Sequence, residues 1–205
     1  YYKGKSVGAG VFSDMTVMSF HPVKHITTAE GGVVLTNDEQ LGHSLRRLRS
    51  HGITNDPCEL IYQDEAFGSS DEGERIQRPW YYEQQDLGFN YRITDVQCAL
   101  GISQVNKLDR FIKRRKEIVA RYNAAFKGLD HVTTPFEADF CQSNFHLYVL
   151  LFDFEKLGMS RAHLMLELRK KGIQTQVHYI PIPTQPYYQE KFGYQRGQYP
   201  QPDQD

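Results

Sequence analysis

Apolar positions recur along this chain with two different periods. Near the start, "VGAGVFSDMTVMSF" alternates small and apolar residues around a glycine turn, and "GGVVLTND" is a short β-branched run stopped by Asn37 and Asp38. Both predict strands, because successive side chains of a strand face opposite sides of a sheet. In "DEQLGHSLRRLRSHG" the leucines Leu41, Leu45 and Leu48 fall at helical spacing and Gly52 supplies a stop, so a helix is expected there. From Ile53 to Gln84 neither period holds; the stretch is polar, carries "GSSDEGE", and is expected as a long loop.

The clearest element begins at "NYRITDVQCALGISQVNKLDRFIKRRKEIVARYNAAFKG". Thr94 and Gln97 have capping-box spacing, in which each side chain satisfies a free backbone N–H of the first turn. Val96, Leu100, Val105, Leu108, Ile112, Val119 and Phe126 follow at helical spacing, and Gly128 closes the run. Roughly 50 Å of helix results at 1.5 Å per residue, enough, bent or broken once, to bridge two domains. Beyond it lie a strand-like "FHLYVLLFDF", a helix opened by Ser160 and closed by Gly172, and a strand-like "IQTQVHYI". Alternation in that last run puts Ile173, Thr175, Val177 and Tyr179 on one face and Gln174, Gln176 and His178 on the other. The β-α-β order predicts a small α/β or α+β domain, and no internal repeat is present.

Composition sharpens this picture in a few places. The 205 residues are 40% hydrophobic and 13% aromatic, which is enough for a packed core of one large domain or two small ones. A formal net charge of -1 gives no strong field toward nucleic acid or an acidic membrane surface. Cys58, Cys98 and Cys141 lie far apart with no C-x-x-C pair, which fits reduced thiols in a cytoplasmic protein better than a disulfide framework. No signal peptide or membrane span is evident, the apolar run "LYVLLF" being too short to cross a bilayer. The chain starts at "YYKGKS" without methionine and stops at "QYPQPDQD", so both ends read as cut from something longer.

Candidate chemistry centres on "SFHPVKHITTAEGGVVLT". His21 and His25 are four apart, but Pro22 stands between them and no acidic ligand follows as in H-E-x-x-H, so no metal site is expected. The basic run Lys113, Arg114, Arg115 and Lys116 lies on an amphipathic helix and reads as a solvated face, not a nucleic-acid surface. G-x-S-x-G, the P-loop and G-x-G-x-x-G are all missing, which removes the commonest hydrolase, NTPase and dinucleotide signatures. That leaves Lys24, flanked by apolar and imidazole side chains. Two readings stand at this point: a surface cation, or an amine sheltered so that it can react with a carbonyl.

The blocks "SFHPVKHITTAEGGVVLTND", "RSHGI" and "YYEQQDLGFNYRITDVQCALGISQ" resemble the sugar-nucleotide aminotransferases of the DegT/DnrJ/EryC1/StrS family, and the likeness runs over nearly the whole chain. It implies an α/β fold, that of the pyridoxal-phosphate-dependent transferases of aspartate aminotransferase type (fold type I). Residues 1–110 would be the remainder of the large cofactor domain, with the loop 53–84 within it, and 111–205 a small C-terminal α/β domain truncated at its end. "RSHGI" with the third block looks most like the group that makes pseudaminic acid precursors, moving an amino group from L-glutamate to C4 of a UDP-linked 4-keto-6-deoxy-N-acetyl sugar.

On this resemblance the Schiff-base lysine falls on Lys24 and the phosphate-binding serine, five residues earlier, on Ser19. Asn90 and Arg92, in "GFNYR", would reach the same phosphate of pyridoxal 5′-phosphate from the other subunit of a homodimer with active sites at its interface. His178, with Tyr179 beside it, occupies the place where the family contacts the nucleotide sugar, and His21 packs beside the cofactor on the substrate side. Relative to the family, the half that carries the ring-stacking aromatic, the glycine phosphate turn and the acid paired with the pyridinium nitrogen is missing, as is the final helix. Two further classes therefore stay open: a sugar-nucleotide-binding protein of the same fold, and a fragment without activity of its own.

Overall fold

The computed structural model of the chain describes residues 1–199. The last residues of the expected C-terminal domain, from Pro200 on, lie outside them. The chain divides into two compact units: Tyr1–Ala120 with Glu137–His146, and Arg121–Phe136 with Leu147 onward.

In the first unit the alternating runs form an antiparallel pair, β1 (Thr16–Ser19) and β2 (Gly32–Leu35), with Thr16 opposite Leu35 and Ser19 opposite Gly32. The strands are shorter than the pattern suggests and largely exposed, not buried. Helix α1 (Glu39–Arg49) starts where Asp38 accepts the Leu41 N–H at 2.9 Å. It ends on Arg46, Arg47 and Arg49, cations that suit the negative end of the helix dipole. The chain reverses through His51 and Gly52, both at positive φ, and Gly52 N–H returns to the Arg47 carbonyl at 2.9 Å. A Cβ at Gly52 would overlap the Asp86 carbonyl oxygen, so glycine is required for the close crossing of these two segments.

Residues 53–84 are not a structureless loop. They contain β3 (Ile53–Thr54), a one-turn α2 (Gln63–Ala66), a hairpin of β4 (Phe67–Ser69) and β5 (Arg75–Gln77), and β6 (Glu83–Gln84), which pairs with β3. "GSSDEGE" makes the hairpin tip, its Ser70 N–H bonded to the Glu74 carbonyl at 2.8 Å. Most of the buried residues among those described lie here: Leu60, Ala66, Thr54 and Glu83. The segment is organised by a carboxylate, which hydropathy cannot register. Glu83 accepts the Ile61 and Tyr62 N–H groups at 2.8 Å each, the Gln85 amide at 2.8 Å and the Tyr81 hydroxyl at 3.2 Å. Burial pushes its carboxyl up, but these donors outweigh that and bring it down to about 2.

The long helical pattern is broken once. Thr94 and Gln97 form the expected reciprocal cap of α3 (Asp95–Val105), and after Asn106 and Lys107 a second helix, α4, runs Leu108–Phe126. Its residues belong to the first unit as far as Ala120 and to the second from Arg121.

In the second unit β7 (Val132–Thr133) pairs with β8 (Leu151–Phe152), all that forms of the expected strand "FHLYVLLFDF". Asp153 caps α5 (Phe154–Leu157), Ser160 caps α6 (Arg161–Lys170) as expected, and α7 (Pro186–Phe192) follows. Tyr148 packs on Tyr122 and Phe126 and donates to Asn123 Oδ1 at 2.6 Å; burial raises its hydroxyl above the ordinary value. The expected strand "IQTQVHYI" does not form: residues 173–180 lack a neighbouring strand, and alternation assigns faces without supplying a hydrogen-bonding partner.

Apolar content has not produced the large core that composition allows. Among the described residues the buried apolar side chains are Leu60, Ala66 and Val119. Leu87, Val96 and Val17 are 91%, 81% and 76% exposed, so the apolar faces of the helices and of the β1–β2 pair remain open to further polypeptide.

Candidate active site

The connection between β1 and β2, residues 20–31, is tied off at its base. Phe20 N–H donates to the Gly31 carbonyl at 2.9 Å, and the Phe20 carbonyl accepts from Thr28 N–H at 3.0 Å and from Thr27 Oγ1 at 2.9 Å. Thr28 is buried and its hydroxyl donates to the Glu30 carbonyl at 2.7 Å. Gly31 sits at φ +150°, where a Cβ would stand 2.5 Å from Thr28 Oγ1. "TTAEGG" is thus a clasp, and the loop it closes carries Lys24.

Lys24 is half-buried, in a turn closed by its own N–H on the His21 carbonyl at 2.9 Å. Its Nζ lies 3.5 Å from Nε2 of His146. Ser19 is at the end of β1, its hydroxyl oxygen accepting His21 N–H at 3.4 Å. His21 faces Glu30, Nε2 to Oε1 at 3.8 Å, and its Nδ1 accepts Val23 N–H at 3.3 Å. His25 turns instead to the Asn144 carbonyl, Nε2 to O at 2.9 Å. Among the described residues no group of three or more His, Cys, Asp or Glu could hold a metal ion.

Asn90 and Arg92 lie on a segment laid against the end of α1. Phe89 N–H donates to Leu48 O at 2.7 Å, His51 N–H to Phe89 O at 2.8 Å and Tyr91 N–H to Arg49 O at 3.0 Å, with Asn90 bridged to Ser50. Both side chains are exposed. The capping glutamine Gln97 also donates through Nε2 to the Glu30 carbonyl at 2.9 Å, which fixes the start of α3 to the clasp of the lysine loop. Arg92 borders a cleft of about 1270 Å³ between β2, α1 and residues 89–93, lined also by Val17, Leu35, Leu45 and Phe89. Neither Ser19 nor Lys24 lines that cleft. His178 and Tyr179 belong to the second unit and are exposed there, their rings edge to face at 4.0 Å.

His21 and Lys24 therefore lie on one loop, with Ser19 at its foot on β1 and Asn90 and Arg92 on a segment bonded to the same framework. Sequence reasoning missed His146. Its signal was present in "NFHLYV", where one imidazole interrupts an apolar run.

The family description "DegT/DnrJ/EryC1/StrS aminotransferase family" matches residues 1–204. The uncharacterized protein MJ1066 of Methanocaldococcus jannaschii is 38% identical over 97% of this chain and 48% of its own length. The UDP-4-amino-4,6-dideoxy-N-acetyl-beta-L-altrosamine transaminase of Campylobacter jejuni is 36% identical over 94% of this chain and 45% of its own. Among solved structures, Helicobacter pylori PseC, an aminotransferase of pseudaminic acid biosynthesis, superposes with a TM-score of 0.76 at 32% identity, covering 94% of this chain and 46% of PseC. Spr1654 of Streptococcus pneumoniae in its PLP form gives a TM-score of 0.77 at 28% identity, covering 98% of this chain and 46% of that one. The chain thus spans about half the length of the relatives it matches, and its elements are those of fold type I transferases. Matched in this way from end to end, the chain belongs to the DegT/DnrJ/EryC1/StrS aminotransferase family.

Proposed function

We propose that the protein carrying this chain is a pyridoxal 5′-phosphate-dependent aminotransferase of sugar nucleotides, with Lys24 as the residue that holds the cofactor covalently. The observation that carries the reading is one half-buried amine, fixed on a clasped loop five residues after a serine hydroxyl, in a chain of this family. The donor set suits the cofactor. Lys24 is partly withdrawn from bulk water, its amine 3.5 Å from an imidazole nitrogen. The Ser19 oxygen accepts from His21 and so keeps its own proton for a phosphate. Asn90 and Arg92, exposed, would donate to that phosphate across the interface of a homodimer.

When bound, pyridoxal phosphate supplies an electron sink for the carbanion left by loss of a Cα proton. Lys24 takes that proton from Cα of L-glutamate and, in the second half-reaction, delivers one to C4 of the sugar; positioned acid–base help of this kind contributes about 10²–10⁴-fold. The Campylobacter and Helicobacter relatives support a UDP-linked 4-keto-6-deoxy-N-acetylhexose as acceptor. His21, His178 and Tyr179 are assigned to the sugar-nucleotide side, and the protein to the cytoplasm.

Incubating the full protein with pyridoxal phosphate, glutamate and the UDP-4-keto sugar should give 2-oxoglutarate and a C4-aminated sugar, both lost in Lys24→Ala. Sugar-nucleotide binding without any amino sugar would replace this reading with that of a binding protein.

A further inference from the structure

We infer that His146 is a positioning residue for the Lys24 amine, held in place by Arg115 and His25; the inference rests on the reading of Lys24 given above. A lysine side chain is a flexible four-carbon stem whose amine reacts only when it is aimed at the carbonyl. His146 Nε2, at 3.5 Å, is the group that meets Lys24 Nζ. An imidazole nitrogen accepts the amine's N–H without the full charge of a carboxylate, which would favour the unreactive ammonium form.

The turn that presents His146 is built from several directions. Phe145 stands at φ 47°, a left-handed conformation that bulky residues rarely adopt. Side chains surround and fix it. Arg115 Nη1 on α4 donates to the carbonyls of Phe145 at 3.3 Å and His146 at 3.2 Å. His25 Nε2 donates to the Asn144 carbonyl at 2.9 Å, in the tautomer that bond requires. Ser143 Oγ accepts Phe145 N–H at 3.0 Å, and Glu137 Oε1 accepts Ser143 N–H at 2.5 Å. An unfavourable backbone angle held by so many partners is a placement maintained for the side chain that follows it. Because His25 adjoins Lys24 in the chain, one loop both carries the amine and anchors the histidine that faces it.

The test uses the full protein with pyridoxal 5′-phosphate as probe. The Lys24 nitrogen attacks the aldehyde carbon, water leaves, and borohydride adds hydride to the C=N bond, giving a secondary amine that peptide mass mapping locates. In the unsubstituted protein label enters Lys24 ahead of exposed lysines such as Lys113 and Lys170. His146→Ala should slow labelling at Lys24 by about 10- to 100-fold and leave the exposed lysines unchanged. His146→Gln, whose amide oxygen still accepts an N–H, should recover much of the rate, a rescue that a purely structural role would not produce. Arg115→Gln, which never touches the lysine, should slow Lys24 in the same direction. Circular dichroism checks each fold; if His146→Ala does not fold, the Gln variants carry the test. Equal Lys24 rates across the variants, or no rescue by His146→Gln in a folded protein, overturn the inference and leave the reading of Lys24 intact. No label at Lys24 in the unsubstituted protein overturns both.

Discussion

Gly31→Ala should open the clasp that closes the lysine loop. At φ +150° the added methyl is strained by the backbone alone, by about 1–3 kcal/mol, and it would also stand 2.5 Å from Thr28 Oγ1 and 3.3 Å from Ile93 Cδ1. Thr28 is buried and cannot swing aside without giving up its bond to the Glu30 carbonyl, a loss of about 1 kcal/mol. Together these set the expected destabilisation at about 2–4 kcal/mol, read as a lower urea midpoint at unchanged slope. Because the Glu30 carbonyl also receives Gln97 Nε2, the shift should spread to the start of α3 and slow pyridoxyl labelling of Lys24. Thr28→Ala removes the oxygen that the methyl meets. The double variant should therefore lose about 1 kcal/mol less than the sum of the single ones, with backbone strain remaining. A Gly31→Ala protein within about 0.5 kcal/mol of its parent, or strict additivity in the cycle, would refute this account of the loop.

Three further outcomes are expected. Glu83, held at about 2 against an ordinary 4.5, contributes stability that is complete above about pH 4.5 and is lost as pH falls toward 2. Protection factors at the Ile61 and Tyr62 amides, taken relative to intrinsic exchange at each pH, should fall over that range, and Glu83→Gln should have lower protection at neutral pH and show no such step. Thr94→Ala removes half of the capping box and should cost about 1 kcal/mol, visible in thermal unfolding with α3 frayed at its start. Arg47→Ala breaks the 2.5 Å ion pair with Asp86 and the contact with Gln85 at 3.4 Å that bind α1 to residues 85–86. It should raise proteolytic cleavage around Gly52 while leaving the second unit's helices intact.

What the sequence revealed was mostly local. Caps at Thr94 and Ser160 and the stop at Gly52 were legible because a side chain and the N–H groups within three residues of it decide them. The break at Asn106 falls within a helical pattern long enough to allow one. Residues 53–84 were illegible for the opposite reason: their fold depends on Glu83 reaching back more than twenty residues to Ile61 and Tyr62. In 173–180 the alternation was real but a strand also needs a neighbour, so His178 and Tyr179 lie exposed on unpaired backbone. At the candidate site, Ser19 was proposed from family resemblance, and Lys24 from its apolar and imidazole neighbours together with that resemblance. His146 was missed because it is 122 residues from Lys24, and only folding brings the two together.

The most direct measurement is the location of the borohydride-fixed pyridoxyl group in the full protein. The account predicts a single dominant modified peptide containing Lys24, abolished by Lys24→Ala and suppressed when glutamate is added before reduction. A pyridoxyl group scattered over exposed lysines, or the same pattern in the Lys24→Ala protein, would contradict it.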